Sequence, residues 1–220
     1  MNNSKFFAVL FILFISFSAN AQLFGKYIGA TLIMQDETEI DGYVKSNMKS
    51  KSKSVSFKEG LDSKSSEIDA EKIDYIVFSN GDGNYLAVKY MKWRKYVSKA
   101  TKTKTQKKRI WVSVTETCKG IEVYEDFVAI KPKKDKVVME FLGGGHNLYM
   151  QRDDEEEATL VCIAISSVGT PPLRLPGGAV KFSQQFMQKY FENDPTVLNI
   201  IGDGRITYDM ISEAVQSVCN

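Results

Sequence analysis

Apolar side chains recur at about every second position in segment after segment as far as Ile165. After the loop marked by Pro171-Pro172 and Pro176-Gly177-Gly178 they recur at every third or fourth position instead. The first spacing lines one face of a strand, and the second one stripe of a helix. A chain that changes period once, late in its length, folds as an α+β protein. We expect an antiparallel β meander closed by a C-terminal helical segment, whose apolar stripes have only the sheet to pack against. The 43% hydrophobic content suffices for one large domain or two small ones.

The strands are legible individually. Tyr27 to Gln35 is β-rich, Asp36-Glu37 can turn, and Ile40, Tyr43 and Val44 lie on a return strand that Asp41-Gly42 is expected to break. Val55 and Phe57 alternate with Ser54, Ser56 and Lys58, and Ile73 with Tyr75 to Phe78 forms another strand. Asn80-Gly81-Asp82-Gly83 signals a hairpin, because Asn and Gly tolerate positive φ, and Tyr85, Ala87 and Val88 return from it. In pattern this order resembles a small SH3-like or Sm-like barrel, an architecture that hosts many functions. Further strands are expected at 110–115, 121–130, 137–142, 148–151 and 160–165. Phe182, Phe186, Met187, Tyr190 and Phe191 then mark one helix. Asp194-Pro195 starts a second that Gly202 can end, and Ile206, Met210, Ile211, Ala214, Val215 and Val218 mark a third.

The N-terminus bears on compartment. Lys5 precedes an apolar run from Phe6 to Ile15, too short for the roughly 20 residues of a membrane helix, and Ala19-Asn20-Ala21 offers a cleavage site. Residues 1–21 read as a signal peptide, leaving a protein that is exported, periplasmic or extracellular. No Cys follows the site, so no lipid anchor is expected. No transmembrane segment is expected after cleavage, since the longest later apolar run is Leu160 to Val168. In an oxidising compartment the three cysteines matter: Cys162, within an apolar run, is expected to be a buried hydrophobe, whereas sequence alone fixes no bridge between any two of Cys118, Cys162 and Cys219.

Charge is balanced overall. The chain has 29 basic and 27 acidic side chains, and removing 1–21 takes away one Lys and leaves 28 and 27. The local pattern is not balanced: from Lys89 to Arg109 there are ten cations and no acid, interleaved with Tyr90, Trp93 and Tyr96. Residues 22–98 read as a β-rich subdomain, 99–109 as an exposed basic loop without a hydrophobic face, and 110–220 as strands followed by helices. Lys102, Lys104, Lys107 and Lys108, with Trp93 and Tyr96, are the candidate ligand-binding residues. Exposed cations can hold phosphates or sulfates, and aromatic neighbours can stack on rings. Export makes nucleic acid an unsuitable partner and anionic envelope lipid or polysaccharide a fitting one. The plain alternative is a solvated loop whose charge protects an edge strand. The acidic run Asp153 to Glu157 sits in a connection, facing solvent or offsetting that patch.

Chemistry has little foothold. His146 is the only histidine, placed by sequence in a turn with Gly143-Gly144-Gly145, so no two-histidine metal site exists. Nucleophile-elbow, phosphate-loop and dinucleotide motifs are absent. Asn199 to Ile206 imitates a calcium loop but puts Ile201 and Met210 where oxygen ligands belong. No catalytic residue, metal or cofactor is assigned. An outer-membrane barrel does not suit a helical C-terminus without a closing strand.

The signal ending in Ala-Gln, Asp41-Gly42-Tyr43, Gly120-Ile121-Glu122-Val123-Tyr124 and Tyr190-Phe191-Glu192-Asn193-Asp194-Pro195 resemble those of uncharacterised exported proteins common in Bacteroidetes-type bacteria. That resemblance implies compartment and architecture, and carries no catalytic residues with it. The expected role is non-catalytic binding or envelope support. The alternative is a carboxylate-dependent hydrolase of the envelope, whose two acids could lie far apart in sequence. Mass spectrometry of exported material should give a mature N-terminus at Gln22. Retention of residues 1–21 in an inner-membrane fraction would contradict the export reading.

Overall fold

Strand β1 (Tyr27–Met34) buries Ile28, Ala30 and Leu32 and reverses at Asp36-Glu37, where Asp36 Oδ1 accepts from Thr38 N at 3.0 Å and Glu37 takes φ 68°. β2 (Glu39–Lys45) returns beside it. Gly42 does not break β2 as expected. A Cβ there would stand 2.3 Å from the Lys58 carbonyl oxygen and 2.4 Å from the Phe57 ring, so the missing side chain lets β4 (Ser54–Lys58) cross closely. This computed structural model describes residues 27–79, 85–97, 102–118, 120–133, 136–140, 145–166, 177–203 and 206–219. The Asn80 to Gly83 turn lies outside them, although the strands it joins, β6 (Ile73–Ser79) and β7 (Tyr85–Met91), pair as a hairpin.

The remaining strands are β3 (Met48–Lys49), β5 (Ser66–Asp69), β8 (Trp93–Val97), β9 (Lys102–Thr105), β10 (Ile110–Cys118), β11 (Ile121–Asp126), β12 (Ala129–Lys133), β13 (Lys136–Glu140), β14 (Gly145–Arg152) and β15 (Ala158–Ser166). Twelve of the described strands form one sheet, in the order β5-β4-β2-β1-β6-β7-β10-β11-β14-β15-β8-β9, and β13-β12-β3 form a second. The large sheet has free edges at β5 and β9, so it is not the closed SH3-like or Sm-like barrel expected. It is also not wholly antiparallel, because β8 runs parallel to β15.

Two further expectations are corrected. The stretch 121–130 is two strands in different sheets, since the chain leaves β11 at Phe127 and enters β12 beside β3. The basic loop 99–109 contains a strand, β9, whose exposed Lys-Thr-Lys-Thr carries no apolar period and is held by backbone pairing to β8 and by a bond from Thr105 Oγ1 to Glu157.

A single residue, Lys92, separates β7 from β8. The run from Tyr85 to Val97 pairs with β10 through Val88 to Met91 and with β15 through Trp93 to Lys95. β10 and β15 are separated by β11 and β14 in the sheet, so these four strands must curl for one run to reach both. Inside the curl lie Met91, Val112, Tyr124, Tyr149 and Leu160. On the other face Ile121, Val123, Leu148, Met150 and Val161 meet the helices. A third core joins Ile28, Leu32, Phe57, Ile76 and Phe78 to Trp111, Phe127 and Ile130. Trp111 is fully buried, and its Nε1 donates to Ser52 O at 3.0 Å.

The helices are α1 (Gly177–Tyr190), α2 (Pro195–Ile201) and α3 (Tyr208–Cys219). Phe186, Met187, Tyr190 and Phe191 are buried as the helical period predicts, whereas the Phe182 side chain lies outside the described ones. Asp194 caps α2 by accepting from Val197 N at 3.1 Å, with Pro195 in its first turn and Gly202 at its end. Cys162 is free and buried, and burial raises its thiol pKa.

Cys118 at the end of β10 bonds Cys219 in the last turn of α3, with Cα atoms 5.7 Å apart and 101 positions between them in sequence. Cross-linking a loop of that length restricts the unfolded chain, by about 4 to 5 kcal/mol in chain-entropy terms. Cys219→Ser should lower the unfolding free energy in urea by roughly that amount, and reductant should lower the wild type but not the variant. Equal urea midpoints for oxidised and reduced wild type would show that the bridge contributes nothing.

Candidate functional site

The structure gathers the expected site residues on one hairpin but divides their roles. Lys102, Lys104, Lys107 and Lys108 are all exposed, the first two on edge strand β9 and the others just after it. None of the four has a carboxylate within 4.0 Å among the described residues. Trp93 and Tyr96 are half-buried and packed inward: the Trp93 ring meets Tyr149 edge-on at 5.4 Å, and Tyr96 meets Phe186 at 5.3 Å. Burial pushes the Tyr96 hydroxyl pKa up to about 12. Neither ring lies open beside the lysines as a stacking platform.

Strand alternation sorts the rest of the hairpin. Lys95, exposed on β8, stands directly opposite Lys104, and Lys102 lies two residues along on the same face. Like charges directly opposite are unfavourable unless something offsets them. On the other face Arg94 forms an ion pair with Glu155 and donates through Nε to Thr159 Oγ1 at 2.8 Å, while Thr105 Oγ1 donates to Glu157 at 2.7 Å. Glu155 also accepts from Arg152 N at 2.9 Å and Tyr190 OH at 2.7 Å. The acidic turn between β14 and β15 therefore neutralises one face of the hairpin and leaves the other cationic. Lys95 is the member of this face that sequence reasoning missed. A faint signal was its parity with Lys102 and Lys104 once a hairpin is assumed.

A second polar cluster sits on the face of the sheet that carries Tyr124. Lys89 on β7 reaches Glu122 Oε2 at 3.1 Å and donates to Tyr75 OH at 2.8 Å, and Tyr75 OH donates to Glu122 Oε1 at 2.8 Å. Tyr124 OH faces both Glu122 Oε2 and, at 3.0 Å, Gln151 Oε1, with one proton to donate. Burial alone would raise the Glu122 pKa, but the Lys89 cation and the two tyrosine hydroxyls outweigh it and hold the carboxyl below its usual range. Burial beside that carboxylate pushes Tyr75 and Tyr124 upward. Burial, with the Glu122 charge adding to it against Lys89, raises Asp74. A carboxylate that accepts from three donors holds strands together and has little basicity left for catalysis.

His146 departs from expectation. It lies on β14 rather than in a turn, 5% exposed, with Nδ1 3.1 Å from Oε2 of Glu125, itself 7% exposed. Gly143 and Gly144 of the glycine segment lie outside the described residues. Next to the pair, Asp126 accepts from Asn147 N at 2.8 Å and Asn147 Nδ2 at 2.6 Å, and burial raises its pKa despite those bonds. Sequence placed Glu122 and Glu125 in an ordinary strand and counted Lys89 as the first cation of the basic stretch. Only strand register reveals their partners. Among the described residues, no group of three or more His, Cys, Asp or Glu is placed to hold a metal ion, and no helix is long and apolar enough to cross a membrane.

Removing Lys89 leaves Glu122 buried without its cation. Lys89→Met should cost about 3 to 5 kcal/mol at pH 7. The folded-state pKa of Glu122 lies below its unfolded value, so its contribution is present above the unfolded pKa and is lost as pH falls through the folded one. The gap between Lys89→Met and wild type in urea titrations should therefore narrow below about pH 4. A gap that is constant with pH would mean the pair is not electrostatically coupled.

No protein-family model, curated protein or solved structure matches this chain, so the reading of function rests on its own residues.

Proposed function

We propose that this is an exported, non-catalytic protein that binds anionic envelope material, lipid or polysaccharide, through the exposed basic hairpin β8–β9. The observation that carries the reading is the placement of Lys95 opposite Lys104 with Lys102 alongside, on a hairpin face where, among the described residues, no acid pairs with these lysines. An anion between those lysines would relieve their repulsion. The N-terminal export pattern supports the compartment, as does a Cys118–Cys219 bridge, since disulfides persist in oxidising environments. The resemblance to exported Bacteroidetes-type proteins points the same way. The hydrolase alternative gains no comparable support, because Glu122, Glu125 and Asp126 are engaged by Lys89, His146 and Asn147.

Binding of this kind should fall steeply with salt, because exposed charges are screened over roughly 8 Å at physiological ionic strength. Replacing Lys102, Lys104, Lys107 and Lys108 together by Gln should abolish whichever co-sedimentation the wild type shows, with phosphatidylglycerol vesicles or with an insoluble acidic polysaccharide. The fold should survive, since surface changes away from packing usually cost within about 0.5 kcal/mol. Equal binding by wild type and variant, or none by either, at low and physiological salt would remove the reading and leave the lysines as protection for an edge strand.

A further inference from the structure

Resting on that reading, we propose that the ligand is an extended linear polyanion lying along the Lys95, Lys102 and Lys104 face and running on to Lys107 and Lys108, rather than the surface of a bilayer. The cations form a track. Lys102 and Lys104 are two residues apart on one strand, about 7 Å, and Lys95 sits across from Lys104 at about 5 Å between Cβ atoms. A polymer with an anionic group on every unit can place successive charges along such a line. A single small anion satisfies only the Lys95–Lys104 pair.

Two features disfavour a bilayer. Lasting attachment to a membrane surface combines charge with apolar groups that enter the headgroup layer. The hairpin turns both aromatic rings, Trp93 and Tyr96, into the protein, and the exposed large apolar residues among those described, Tyr85 and Val128, lie elsewhere in the chain. The second feature is charge. The turn against the opposite face of the hairpin exposes Asp153, Asp154 and Glu156. The repulsion of a broad anionic plane by those carboxylates offsets part of its attraction to the lysines, whereas a narrow chain can follow the lysine face, away from them.

Dextran sulfate, inorganic sulfate, neutral dextran and phosphatidylglycerol vesicles separate the cases by equilibrium binding over a salt series. Dextran sulfate should bind the full mature chain more than tenfold more tightly than inorganic sulfate, and neutral dextran not at all. In Lys95→Gln/Lys102→Gln/Lys104→Gln, the slope of log affinity against log salt should flatten by roughly two to three, near one per cation removed. The Arg-substituted triple variant keeps the charges and should retain the slope, which guards against a change that merely disturbs the fold. Vesicle binding without dextran sulfate binding would overturn the polymer assignment and leave the wider anionic reading standing. Binding of neither would remove both, and an unaltered slope in the Gln variant would place the polymer elsewhere.

Discussion

One continuous run of backbone, Tyr85 to Val97, pairs with two strands that are not neighbours, and much of the molecule follows from that. Its first half bonds β10 and its second half β15. The four strands β10, β11, β14 and β15 must curl to satisfy both pairings, and the curl gives each of them a buried inner face. The outer face of β11, β14 and β15 is then closed by the helices, so these strands are buried on both sides. Strands of that kind cannot show a clean alternation of polar and apolar residues. Tyr124 at 0% exposure and Val123 at 2% are consecutive residues of β11 on opposite faces.

Two-sided burial explains the polar clusters. Any hydrogen-bonding side chain on such strands loses water and must find a partner. Glu122 does so with Lys89, Tyr75 and Tyr124, joining β6, β7 and β11 across three strands. Glu125 and His146 do the same between β11 and β14 on the helix side, and Asp126 and Asn147 do so on the opposite face, beside Tyr149. Replacing a buried ion pair by apolar groups is often neutral, but removing one partner is costly, so such pairs penalise any slip of register. The Cys118–Cys219 bridge acts at longer range. It fixes the last helical turn to the end of β10 and so holds the helical layer against the sheet.

The same curl expels the basic hairpin. Once β8 has paired with β15, its partner β9 can only become the sheet edge, and the acidic turn between β14 and β15 lies beside it. The hairpin thus acquires faces of opposite chemistry. One packs Tyr96 on Phe186 and pairs Arg94 with Glu155; the other seats Trp93 against Tyr149 and, beyond it, holds Lys95, Lys102 and Lys104 in solvent. Short, charged edge strands are a common means of avoiding sheet-to-sheet aggregation. The neutralisation of one face only is what distinguishes this edge from a uniformly protective one.

The sequence by itself determined the elements whose signal is local. The switch from strand to helix period, the burial of Phe186 and Phe191, the Asp194-Pro195 start of α2 and the turn at Asp36-Glu37 are set by neighbours within a few residues, and so were readable. The segment around β9 was readable as exposed and basic but not as a strand, because Lys-Thr-Lys-Thr has no apolar face and owes its conformation to backbone bonds with β8. Gly42 read as a break for the converse reason: the chain segment it accommodates is β4, far enough along to leave no trace in the local pattern. Tertiary structure alone decided the curl, the parallel β8–β15 pairing, the pairing of His146 with Glu125 and of Lys89 with Glu122, the choice of cysteines in the bridge, and the inward turn of Trp93 and Tyr96. Each depends on which distant strands meet and in what register, a quantity set by the summed burial of three cores and carried by no single segment.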